Sequence, residues 1–112
     1  MLNLILGHFV GDFMFQCDWM ANNKKQNSLI CALHCLIYSL IIWAFTFFTW
    51  PLWSIGVVFL THFIIDRTLI VKHYLLFMGQ KRFIKGELFP WAYIIVDNTW
   101  HMLALWGLSY VV

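Results

Sequence analysis

No formally charged side chain occurs between residues 26 and 65 of this chain. One helix needs about 20 apolar residues to cross a hydrocarbon core, so a run of roughly twice that length is too long for a single span. It is interrupted at Trp50-Pro51-Leu52-Trp53, which reads as a tight turn between two helices. The first runs over about 28–49, with Ser28 as its N-cap after a polar stretch of Asn, Lys and Gln. The second runs over about 51–74, with Pro51 at a favoured first helical position. Upstream, 2–22 is an apolar segment carrying His8, Asp12 and Asp18. Downstream, 88–111 holds Asp97 as its one formal charge.

Composition supports four helices in a membrane over any water-soluble fold. The chain has 112 residues, of which 62% are hydrophobic and 11% charged, and a mean hydropathy of +0.78. Soluble domains are about 25% charged, so this chain lacks the polar side chains to cover a wet surface. Four spans of about 20 residues leave length for short connections only. That excludes a separate catalytic or nucleic-acid-binding domain, and a net charge of +2 excludes nucleic acid as a partner. The expected architecture is an all-α, polytopic four-helix transmembrane bundle forming one domain over 1–112.

The basic residues orient it. Lys24 and Lys25 flank the first connection, Lys72, Lys81, Arg82 and Lys85 surround the third, and the second has none. The positive-inside bias then puts connections one and three in the cytoplasm and both termini outside, in a bacterial inner membrane. The charges follow the first apolar segment instead of preceding it, which argues against a cleaved signal peptide. Trp50, Trp53, Trp106 and Tyr110 near the outer ends, with Trp19 and Trp91 near the inner ends, suit interfacial belts or lipid-facing bulk equally.

Polar residues recur inside these apolar segments at a helical spacing. His8 and Asp12, His62 and Asp66, and Asp97 and His101 each stand four apart and so share a helix face. Five His and five acids in this length would give roughly 0.4 such pairs by chance, so three are not accidental. His34 and Tyr38 repeat the spacing on the second helix, and Gln16 extends the first stripe. Counted from the cytoplasmic ends of their helices, all these groups fall in one layer roughly 10 to 22 Å deep.

An Asp at the centre of a membrane helix costs about 2.5 to 3.5 kcal/mol, so each must find a partner. One solution is structural, with each Asp bonded to a His and no ligand. The other is a metal centre, because facing helices that present carboxylate and imidazole one turn apart are how di-metal carboxylate bundles are built. His8, Asp12, His34, His62, Asp66, Asp97 and His101 are then the ligand candidates, enough for one closed site or two open ones. Such a set suits one or two divalent ions of Zn, Fe, Mn or Ni better than Ca or Mg. Gln16, Tyr38 and Asn98 would orient ligands or substrate. An open coordination position would support hydrolysis of a phosphoester or a lipid-derived substrate. The same residues could instead form a proton or metal-ion relay or channel. A third class is an accessory or phage protein acting through a homo-oligomer or a host membrane partner, with a structural polar core.

Other residues weigh less. Cys31 and Cys35 flank His34 one turn apart, as candidate thiolates or small packing groups, and Cys17 completes an odd set that argues against a disulfide framework. His73 has no acid at this spacing and reads as interfacial. Arg67 points about 100° away from Asp66 and should pair elsewhere. The loop over 75–87 mixes cations with apolar residues, as a segment lying on anionic lipid does.

The ordered set His8-x3-Asp12-Phe13-x2-Gln16, Lys24, His34-x3-Tyr38, His62-Phe63-x2-Asp66 and Asp97-x3-His101 resembles a family of small bacterial and bacteriophage integral membrane proteins catalogued as a domain of unknown function. The likeness covers nearly the whole chain. In that family a Gln follows the last-helix Asp, where this chain has Asn98, and a basic residue follows the third-helix Asp, where this chain has Arg67 and Lys72. The resemblance implies the bundle and its polar site. A weaker likeness is to bacterial membrane-bound metal-dependent hydrolases, which also set His and Asp on apolar helices.

Overall fold

The structure, a computed structural model, describes residues 1–15 and 17–112, and among them there is no strand. The all-helical expectation holds, while the helices differ in continuity from those read in the sequence. The first segment is broken into α1 (Leu2–Phe9), a π-helical stretch over Val10–Met14, and α2 (Asp18–Asn23). Then come α3 (Ser28–Phe45), α4 (Trp53–Arg67), α5 (Ile70–Phe77), a 3-10 turn at Lys81–Phe83, and α6 (Trp91–Ser109).

Each boundary has a local cause. Asn27, not Ser28, caps α3: its side-chain oxygen accepts from the backbone N–H groups of Leu29 and Ile30 at 2.9 and 3.3 Å, filling two orphan donors of the first turn. At the other end α3 stops four residues short of the expected 49. Phe47 and Phe48 turn the chain with φ of 55° and 59°, a left-handed conformation that bulky residues adopt at a cost. The Trp43 indole holds this turn by donating to the Trp50 carbonyl at 2.9 Å.

The helix expected over 51–74 is two helices, because Thr68 is extended (φ −98°, ψ 173°) and its hydroxyl donates to the Ile64 carbonyl. The end of α4 is tied down from outside. Arg67 donates to the Ser28 hydroxyl and the Lys25 carbonyl, and the Lys25 ammonium donates to the freed Asp66 carbonyl at 3.0 Å. Arg67 therefore does pair elsewhere. α5 leaves α4 at 63°.

By length and composition α3 could cross a membrane, and α4 with α5 passes the same test together as a bent pair. Leu2–Met14 is apolar but shorter.

The helices pack in register by four-residue steps. Leu4, Ile42, Val58 and Leu105 meet in one apolar layer. One turn further along each helix stand His8, Tyr38, His62 and His101. A further turn brings Asp12, His34, Asp66 and Asp97. A second apolar cluster of Ile65, Val71 and Leu75 sits under α5 and packs against Tyr93, Val96 and Trp100 of α6. The single polar layer expected from depth counting is thus two layers, closed at one end by the apolar layer of Leu4, Ile42, Val58 and Leu105.

Close approach of α1 to α3 delivers Asp12 to these layers. A Cβ on Gly7 would stand 2.9 Å from Phe45 Cβ, and one on Gly11 would stand 2.9 Å from Tyr38 Cδ2. Small residues four apart allow backbones to meet in this way. Gly56 on α4, by contrast, faces open space. Gly7→Ala is therefore expected to lose about 1 to 3 kcal/mol by overpacking, while Gly56→Ala gains up to about 1 kcal/mol of helix propensity. Equilibrium unfolding of the two variants checks this opposition of sign.

Candidate metal centre

Asp12 comes from the π-helical stretch, His34 from α3, and His62 with Asp66 from α4. All four are buried, and one ligand atom of each lies within 4.8 Å of the others. His34 Nε2 is 3.0 Å from His62 Nε2, 3.1 Å from Asp12 Oδ1 and 3.2 Å from Asp66 Oδ2. His62 Nε2 is 3.2 Å from Asp66 Oδ2 and 3.7 Å from Asp12 Oδ1. A tetrahedral ion with ligands at about 2.0 to 2.1 Å has ligand-to-ligand edges of about 3.3 to 3.4 Å. The observed edges scatter around that value.

Among the described residues, Asp12 Oδ1 and Asp66 Oδ2 are buried and accept no hydrogen bond of regular geometry, while the Lys24 ammonium and the two imidazoles lie against them. The Nδ1 atoms of His34 and His62 also lack partners, so each ring makes its polar interactions through Nε2, toward the cluster. The residues present thus fit a divalent transition ion by donor type, spacing and unmet polar capacity.

Lys24 belongs to the same group. Its Nζ lies 2.8 Å from Asp66 Oδ2 and 3.7 Å from Asp12 Oδ1, with the side chain 13% exposed. The sequence argument used Lys24 for topology and missed this contact. The available signal was charge: three acids inside apolar segments call for cations, and a Lys at the mouth of the first connection can reach back into the bundle.

The other expected ligands are placed differently. His101 Nε2 is 3.1 Å from Asp66 Oδ1 and 3.4 Å from Asp97 Oδ2, forming a second group that shares Asp66. His8 joins neither group. Its Nε2 meets Asn98 Oδ1 at 2.6 Å and its Nδ1 meets the Tyr38 hydroxyl at 2.7 Å. The Asn98 amide nitrogen donates to the Ile94 carbonyl at 2.7 Å, which turns Oδ1 toward His8. Nε2 must then carry the proton, and Tyr38 O–H donates to Nδ1. A ring with both nitrogens engaged has no lone pair for a metal, so His8 is a structural histidine here. The polar atoms of Tyr38 and Asn98 accordingly hold His8. Gln16 lies outside the described residues.

Tyr38 also stacks on His62 with ring centroids 3.8 Å apart, and His62 stacks on His101 at 4.0 Å. This pile of rings fixes the orientation of His62 from both faces. Cys31 and Cys35 are fully buried with their sulfurs 3.9 Å apart, and they stand outside both ligand groups. His73 is exposed on α5.

A cavity of about 370 Å³ opens beside the cluster. Its polar floor is Asp12, Asp66, Asp97 and Lys24, and its walls include Phe13, Phe89 and Ile94.

A family model for proteins of unknown function, DUF3307, matches residues 1–111. The chain belongs to that family. No curated protein and no solved structure matches it. The family description carries no activity, so the likeness to membrane-bound hydrolases remains one of chemistry alone.

Among the described residues, the Tyr38 hydroxyl is the sole donor to a fully buried His8 nitrogen. Tyr38→Phe is expected to cost about 1 to 3 kcal/mol by leaving that acceptor unpaired. Denaturant unfolding of the variant against the parent protein measures it.

Proposed function

We propose that this chain is a bacterial inner-membrane protein whose helical bundle holds a divalent transition metal at Asp12, His34, His62 and Asp66 and uses it for hydrolysis. The observation that carries the metal reading is the set of ligand atoms from three helical segments spaced at coordination edges around two buried carboxylate oxygens. Two ligands from one helix, His62 and Asp66 at a four-residue spacing, make a rigid pair that the other two helices complete.

A membrane setting is supported by the outer surface. Leu29, Phe47, Phe77 and Trp91 are each more than 70% exposed, along with many other large apolar side chains. Monomeric soluble proteins rarely present apolar surface on that scale. The broken first segment and the bent α4–α5 pair would be shielded from lipid by their neighbours, which is the condition under which irregular backbone is tolerated at membrane depth. With connections one and three in the cytoplasm, Lys24, Lys25 and Arg67 lie at the inner end of the bundle.

Hydrolysis is supported by access. The cavity brings an amphiphile's polar part to the Asp12–Asp66 edge of the centre while Phe13, Phe89 and Ile94 receive apolar chain. A divalent ion held by these residues would supply Lewis acidity toward a phosphoryl or carbonyl oxygen and would lower the pKa of water so that hydroxide is available near neutral pH. Asp12 and Asp66 orient the ion, and Lys24 sets the charge at the cavity floor. The substrate class is a phosphoester or another lipid-derived ester.

Elemental analysis of the purified protein is expected to find bound transition metal. His62→Ala and Asp12→Asn should each lose at least one ion per chain, while His8→Gln keeps the parent content. Metal-dependent cleavage of phosphoester lipids in mixed micelles should fall at least about a hundredfold in His62→Ala, since losing a ligand costs no less than losing its supporting contacts. Equal metal content in the parent and His62→Ala would refute the assigned centre.

A further inference from the structure

Asp66 is 1% exposed and has two oxygens in two different settings. Oδ2 faces His34, His62 and Lys24. Oδ1 faces His101 Nε2 at 3.1 Å, and the same nitrogen is 3.4 Å from Asp97 Oδ2. One imidazole N–H cannot fully serve two carboxylates, and Asp97 Oδ1 is also buried without a partner. Ligand atoms of Asp66, Asp97 and His101 converge within 4.8 Å of one another around that single N–H.

We infer that Asp66, Asp97 and His101 hold a second divalent ion, bridged to the first through the two oxygens of Asp66. This rests on the metal reading above and goes beyond it in number, ligands and role. The spacing agrees. Asp66 presents one oxygen to each group, Oδ2 at 3.2 Å from His62 Nε2 and Oδ1 at 3.1 Å from His101 Nε2, as a carboxylate shared between two ions would. The two positions differ in character. Both positions border the cavity, the first through Asp12 and Asp66 and the second through Asp97, and the second, with three protein ligands against four, would keep more of its coordination free. Asp97, its most exposed ligand, lines the cavity beside Asp66.

Charge then narrows the substrate. Asp12, Asp66 and Asp97 with Lys24 carry a formal charge of minus two, which one divalent ion cancels. A second leaves the floor of the cavity at plus two. The group that the cavity takes is therefore an anion, and a phosphoester dianion restores neutrality.

The test is a cobalt(II) titration of the purified full chain, followed by elemental analysis and electron paramagnetic resonance. Two ions per chain, with a signal attenuated by exchange through the shared carboxylate, are expected in the parent protein. Asp97→Asn, nearly isosteric, and His101→Ala should each bind one ion and show an uncoupled signal, with helical content unchanged by circular dichroism. One ion in the parent, unaltered by either substitution, overturns the second position and leaves the first standing. Two uncoupled ions overturn the bridge through Asp66. No ion in the parent overturns both.

Discussion

Buried negative charge is the constraint around which this bundle is organised, and it centres on Asp66. Truncating a partner of a buried charge typically costs about 3 to 5 kcal/mol, because the remaining charge has nowhere to go. Asp66 meets that demand with contacts from two other helices, its own helix and the first connection: His34 on α3, His101 on α6, His62 on α4, and Lys24 before α3. Even its backbone carbonyl is held, by Lys25. A single side chain thus ties the first connection, α3, α4 and α6 into one register, and the two apolar clusters pack to suit it.

The contribution of α1 is a matter of distance. Gly7 on α1, and Gly11 just beyond it, let this segment lie against Phe45 and Tyr38 more closely than any residue with a side chain could. The π-helical stretch that follows then re-aims Asp12 toward His34. π-helical turns occur often at functional sites, and here one changes which side chains share a face. His8 and Asp12 consequently do different jobs: the first is locked between Tyr38 and Asn98, the second joins the ligand group.

Much of this was legible in the amino-acid order. The uncharged run with its Trp-Pro-Leu-Trp interruption marked two apolar helices and the turn between them. The four-residue spacing of His and Asp marked the inward faces, and six of the seven ligand candidates, all but Asp97, are more than nine-tenths buried. Helix continuity was less legible. Thr68 reads as an ordinary helical residue, yet its hydroxyl and the anchoring of Arg67 end α4 there. Lys24 looked like a loop cation, and only the return of its side chain into the bundle made it part of the site.

Periodicity determines which residues share a helix face, because backbone geometry is local and repeats every 3.6 residues. The sequence therefore determined by itself that His and Asp side chains must converge inside an apolar all-helical chain. It could not decide which nitrogen meets which oxygen. That choice depends on helix offset, on breaks at Val10–Met14 and Thr68, and on competing partners such as Tyr38 and Asn98. Ligand distances of a few ångströms are set by how closely whole helices approach one another, so only the tertiary structure could separate the four-ligand group from His8 and give Asp66 its two faces.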